Sequence, residues 1–141
     1  MKKFIVIALM LLGLVSNVSA GSAPAAYYWD IIGIASSQAV DTNGVLRAYE
    51  WEYVSGGTYS TSWNHGGAVY AAVYVEGYSN PVVTFNNSGM QLVDVDSYDL
   101  NGDGTIDAWM YYYGGSGSSG NIEVKDWSGS TFSTRDTVYV K

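Results

Sequence analysis

The chain reads as an all-β protein, a single antiparallel β-sandwich or squat barrel of about eight strands. Three observations predict it. Short apolar or alternating runs recur from residue 27 to residue 140, each closed by a Gly, Asn or Ser cluster. β-Branched and aromatic residues dominate those runs, and such side chains suit a pleated, half-buried surface. No window keeps apolar residues at helical spacing for three turns.

Residues 1–20 stand apart from that pattern. Lys2 and Lys3 precede a nearly unbroken apolar stretch at 4–15, and Val18-Ser19-Ala20 ends in the small residue a signal peptidase requires. The apolar stretch is too short to cross a bilayer core of roughly 30 Å as a helix. A secretory signal peptide at 1–20 is therefore expected, cleaved before Gly21. It leaves one domain at 21–141, secreted or otherwise extracytoplasmic (extracellular or periplasmic), with no membrane insertion after cleavage. The chain has no cysteine, which rules out disulfides, a thiol nucleophile and lipid attachment to a cysteine after the leader.

The formal net charge is −7. Without Lys2 and Lys3, only Arg47, Lys125, Arg135 and Lys141 remain against 13 acids. Such a surface repels nucleic acid and anionic lipid and attracts cations. A nucleic-acid partner is excluded on that ground.

The elements follow in order. The run 27–35 is apolar on both faces and reads as a central strand, followed by a turn at Asp41-Thr42-Asn43-Gly44. The run 45–54 alternates, with Tyr49, Trp51 and Tyr53 on one side and Glu50 and Glu52 facing solvent on the other. A polar loop at 55–67 contains two Gly-Gly pairs. The run 68–76 puts Val69, Ala71, Val73 and Val75 on one face and Tyr70, Tyr74 and Glu76 on the other. Runs 81–85 and 90–95 read as a hairpin joined through Asn86-Asn87-Ser88-Gly89. A strand at 106–113 is followed by an exposed or mobile Gly/Ser loop at 114–120, then by strands at 121–127 and 131–140. No internal repeat is found.

The one stretch that names a chemistry is Asp99-Leu100-Asn101-Gly102-Asp103-Gly104-Thr105-Ile106-Asp107. Side-chain oxygens fall at loop positions 1, 3, 5 and 9, and glycine falls at position 6. Asp99, Asn101 and Asp103 can each offer an oxygen, Thr105 its carbonyl, and Asp107 a direct or water-borne ligand. An oxygen-only donor set suits calcium, a hard cation. The stretch resembles the first nine positions of an EF-hand loop, with Met110 where the twelfth-position acid would stand and strands where the helices would be. It is also similar to the strand-flanked Asp-x-Asx-x-Asp-Gly loops of extracellular β-proteins such as integrin-type propeller repeats. The missing acid implies an affinity of roughly 10⁻⁴ to 10⁻³ M, unless Asp94 or Asp96 makes up the deficit. The ion would be structural or regulatory. Turn chemistry alone would explain the glycines, but not acids held at positions 1, 5 and 9.

Five tryptophans and 13 tyrosines raise a second possibility. Flat aromatic faces stack on sugar rings, and rings also fill cores where leucine is scarce. Trp51 and Trp109, in alternating strands, are expected in the core. Trp63, in the Ser60–Gly67 stretch, is the candidate for an exposed aromatic, with His65 beside it. Tyr111-Tyr112-Tyr113 must place tyrosine on both faces of its strand, which makes Tyr112 a further ligand-contact candidate. His65 is the only histidine, so zinc lacks a donor set. A Ser–His–acid site has no Gly-x-Ser-x-Gly elbow to support it, and no other catalytic constellation is recognised.

The leader, the stretch Ser62-Trp63-Asn64-His65-Gly66-Gly67, the Tyr-rich strand and the ending Thr137-Val138-Tyr139-Val140-Lys141 resemble the YolA-like short secreted bacterial proteins. That group has no assigned activity, so the resemblance implies secretion and single-domain size. The expected role is a secreted, calcium-stabilised binding or surface-interaction module for a carbohydrate or cell-surface ligand. A small antibacterial or toxin-like effector is the alternative, and a hydrolase the third reading.

Overall fold

The computed structural model describes residues 24–54, 56–128 and 131–141, and no helix occurs among them. The leader expected at 1–20 lies outside the described residues. Nine strands form: β1 (Tyr28–Ser36), β2 (Glu52–Tyr53), β3 (Gly67–Glu76), β4 (Val82–Phe85), β5 (Ser88–Gly89), β6 (Gln91–Tyr98), β7 (Ala108–Gly117), β8 (Gly120–Ser128) and β9 (Thr131–Val140). They make two antiparallel sheets, ordered β2-β1-β3-β7-β6 and β5-β4-β8-β9. The all-β expectation holds.

Period-two alternation assigns the faces of the larger sheet. Cross-strand register aligns Trp29, Val75, Trp109 and Ser97 in one row, and Ile31, Val73, Tyr111 and Val95 in the next. Ile31, Val73, Val75 and Tyr111 of these rows pack with Val83, Ile122, Val124, Val138 and Val140 of the smaller sheet in one core, with Trp29 and Trp109 against it, while Val95 and Ser97 on the edge strand stay exposed. Burying each Val or Ile stabilises by about 1.5–3 kcal/mol. Tyr111 and Tyr113 also point inward, and their hydroxyls donate to the carbonyls of Ser79 (2.9 Å) and Pro81 (2.6 Å). Two phenols therefore fill the core without leaving an unpaired polar atom. Trp109 packs against that core as expected.

Four expectations need correction. First, 45–54 is not one strand, and only Glu52–Tyr53 pairs with β1. The cause is Asp41, whose carboxylate accepts the amides of Asn43 and Val45 and pairs with Arg47 Nε at 2.8 Å. The amide of Val45, then the Arg47 guanidinium, hold that carboxyl below its usual range. This knot curls the chain where alternation alone suggested extension.

Second, 81–85 and 90–95 do not form a hairpin ladder and share only the bond from the Met90 amide to the Val83 carbonyl at 2.8 Å. Asn86 and Asn87 do make a tight turn, with φ of 50° and 65°, but its second arm is only Ser88–Gly89. Met90 then enters the core, and the chain crosses to the other sheet, where β6 pairs with β7. Third, Gly114–Gly117 continues β7 rather than forming a loop. A Cβ on Gly114 would lie 3.2 Å from Val93 and 3.3 Å from Tyr70, and one on Gly117 would collide with the Phe85 ring. The glycines leave the room that neighbouring side chains occupy. Fourth, Trp51 is outside the core cluster and Glu52 is buried.

Candidate functional site

Three polar or aromatic assemblies stand out. In the acidic loop between β6 and β7, each side chain of the spaced pattern turns onto the loop's own amides. Asp99 accepts from Gly102 and Gly104 at 2.7 Å each, and Asn101 from Asp103 at 3.0 Å. Asp103 accepts from Thr105 at 2.8 Å, and Asp107 from Leu100 at 3.1 Å. The Thr105 amide holds the Asp103 carboxyl below its usual range. Gly102 and Gly104, with φ of 75° and 89°, allow the reversals that bring these amides inward. Among the described residues no three or more His, Cys, Asp or Glu side chains stand close enough to share a metal ion.

The second assembly is buried. His65 Nε2 lies 2.9 Å from Glu52 Oε2, and its Nδ1 lies 3.0 Å from Ser36 Oγ. Glu52 also accepts the amides of Ser62 (2.5 Å) and Trp63 (3.1 Å), while Ser36 Oγ accepts that of Gly66 (3.2 Å). The donor pattern closes with the ring proton on Nε2 and the Ser36 hydroxyl donating to Nδ1. Burial pushes the Glu52 carboxyl up, but His65 and the two amides outweigh it and leave the group below its ordinary value.

Ser, His and Glu thus meet as in a hydrolase, yet Ser36 is 0% exposed and His65 4%. Trp63, half-buried, stacks over the imidazole at 6.2 Å with a 25° interplanar angle. Placed under Trp63, His65 is not presented to solvent as a ligand contact. The assembly also grips the end of the chain. Lys141 accepts from the His65 amide at 2.6 Å and donates to Thr61 Oγ1 at 2.9 Å.

The third assembly is the outer face of the five-stranded sheet. Register aligns Tyr28, Glu76, Ala108 and Tyr98 in one row, Asp30, Tyr74, Met110 and Asp96 in the next, then Gly33, Ala72, Tyr112 and Asp94. Three ring pairs lie along it: Tyr28–Tyr74 at 6.2 Å, Tyr49–Tyr70 at 6.3 Å and Trp51–Tyr112 at 6.0 Å. The phenols of Tyr28, Tyr74 and Tyr112 donate to Asp30, Glu76 and Asp96 at 3.1–3.2 Å. Burial, then the Glu76 carboxylate, pushes the Tyr74 hydroxyl up; burial, then Tyr98 and Asp96, does the same for Tyr112. Both hydroxyls therefore remain protonated donors.

Of the three ligand-contact candidates, Tyr112 falls on this face and Trp63 and His65 belong to the buried assembly. Residue-type reasoning missed Tyr28, Tyr49 and Trp51. The Tyr70–Tyr74 alternation opposite the valines was the signal that a second aromatic face existed. Trp127, one of the five tryptophans, is 62% exposed and lies 5.2 Å from Phe132 near the β8–β9 connection.

A family model described as DUF4879, a domain of unknown function, matches residues 21–140, so the chain belongs to that family. Neither a curated protein nor a solved structure matches it.

Proposed function

We propose that the chain is a secreted, calcium-stabilised binding module that holds a glycan or cell-envelope surface on the outer face of its five-stranded sheet. The observation that carries this reading is the set of three ring pairs on that face. Within these pairs Tyr28 and Tyr49 are exposed and Trp51, Tyr70, Tyr74 and Tyr112 half-buried, so aromatic surface is held in place and still open to a ligand. Tyr49 adds support. It is 53% exposed and holds a φ of 59°, a conformation costly for a bulky residue. Its amide is fixed to the Ser36 carbonyl at 2.7 Å, which keeps the ring beside Tyr70. Strain of this kind gathers at binding sites.

The calcium part of the reading rests on donor chemistry. The loop offers only oxygen, its carboxylates are oriented by amides, and each carboxylate retains unused lone pairs. An ion held by Asp99, Asn101, Asp103, Thr105 and Asp107 would fix the β6–β7 connection, and with it the edge of the aromatic face.

Intrinsic tryptophan fluorescence titrated with soluble cell-wall oligosaccharides tests the reading. A saturable change is expected, weakened roughly tenfold (about 1.4 kcal/mol) by Trp51→Ala. No change, with the protein fully recovered in the supernatant of a polysaccharide pull-down, would overturn it.

A further inference from the structure

Resting on that binding reading, we infer that the outer face selects saccharides carrying free, protonated amines. The argument begins with what the face lacks. Asp30, Glu76, Asp94 and Asp96 interleave with the rings, and the aligned rows contain no Lys, Arg or His. Among the described residues, none of the four carboxylates joins an ion pair; the paired acids are Asp41, Glu50, Glu52 and Glu123. Arg47, in the chain segment leading to Tyr49 and Trp51, is committed to Asp41 and Glu50. Lys125 bonds Glu123 on the smaller sheet, and the Arg135 guanidinium sits over Trp29, whose row lies on the inner face.

The hydrogen-bonding balance points the same way. The phenol donors of Tyr28, Tyr74 and Tyr112 are already spent on Asp30, Glu76 and Asp96. Each of those carboxylates keeps further acceptor sites. Around these three acids the face is therefore rich in acceptors, and of its remaining phenol donors, Tyr49 and Tyr70 form a separate ring pair. A neutral sugar hydroxyl gains only one side of its hydrogen-bonding capacity there, and an acidic sugar is repelled. A protonated amine meets every feature at once: it has three donors and no acceptor, a carboxylate to pair with, and ring faces that attract cations.

The shape favours a saccharide over a basic peptide. Four strands spaced about 4.8 Å apart make a broad surface, and the aromatic rings on it suit the apolar C–H faces along a chain of sugar rings. The exposed carboxylates of Asp94 and Asp96 stand at the β6 margin, beside Tyr112, so one sugar ring can stack while its amine reaches an acid.

Calorimetric titration of the purified protein with two glucosamine oligomers of equal length, one with free amines and one fully N-acetylated, tests this at low ionic strength and mildly acidic pH. The free-amine oligomer should bind about tenfold tighter, and the difference should collapse near 0.5 M salt, where screening acts within roughly 4–5 Å. The double variant Asp94→Asn, Asp96→Asn should lose the preference while retaining its melting temperature, because both side chains are exposed. Equal binding of the two oligomers overturns the amine selectivity and leaves the binding reading intact. Absence of binding to either, in a protein that also ignores other glycans, overturns both. An oligolysine that binds as tightly as the free-amine oligomer overturns the saccharide assignment in favour of a basic peptide.

Discussion

Replacing His65 by alanine leaves Glu52 in a buried position with two amides and no imidazole. Urea denaturation should show a loss of about 3 kcal/mol, the range for a buried charged group stripped of its partner. Adding Glu52→Gln to that variant should recover part of the loss, since the orphaned charge is then gone. The same group predicts the acid limb of stability. Its folded-state carboxyl lies below its ordinary value, so the stabilisation is complete above the unfolded value, near pH 4.3. It is lost as pH falls through the lower folded value. Melting temperature followed from pH 6 to pH 2 should fall less steeply in Glu52→Gln than in the unmodified chain. Alternation placed Glu52 in solvent because period-two logic assumes an unbroken strand. The partner that draws it inward is 13 residues away, in a segment with no period of its own. His65 was singled out as a lone histidine, but its two partners were not readable, because serines and acids are common and their convergence is a property of the fold.

Elements were legible where a single physical rule decided them. β1, β3, β8 and β9 lie within a residue or two of their expected limits, because each is a run rich in β-branched and aromatic residues closed by polar or glycine turns. The Asn86-Asn87 turn was also legible, since two successive positive φ values favour Asn and Gly. Asn87→Val should accordingly cost about 1–2 kcal/mol, and Asn87→Gly should be neutral in the same thermal melt. What the turn could not tell was how far its second arm would run. That depended on Met90 finding the core and on β6 finding β7, both long-range outcomes. The 114–117 stretch failed for the opposite reason. Glycine normally signals a loop, and here it marks where Phe85, Tyr70 and Val93 come close to the backbone.

For the molecule as a whole, the acidic loop was legible as a pattern and the aromatic face only in part. Tyr70, Tyr74 and Tyr112 could be assigned to one side of their own strands, but strand order was needed to bring them together with Tyr28 and Trp51. If the loop binds calcium at the affinity its pattern implies, an ion present at 10 to 100 times the dissociation constant stabilises the fold by about 1.4–2.7 kcal/mol. Differential scanning calorimetry in 10 mM CaCl₂ against excess chelator should then show a higher melting temperature with the ion, and Asp103→Asn should narrow the gap. Identical melting curves would remove calcium from the account.

The backbone of Lys141 is pinned to Thr61, 80 positions earlier, while the adjoining strand completes the smaller sheet. A polypeptide still emerging from the ribosome without β9 leaves one edge of β8 unpaired and the core short of Val138 and Val140. Folding by such distant pairings is slow, on the order of milliseconds to seconds. Completion of the core therefore waits on β9, whose place beside β8 no earlier strand fills.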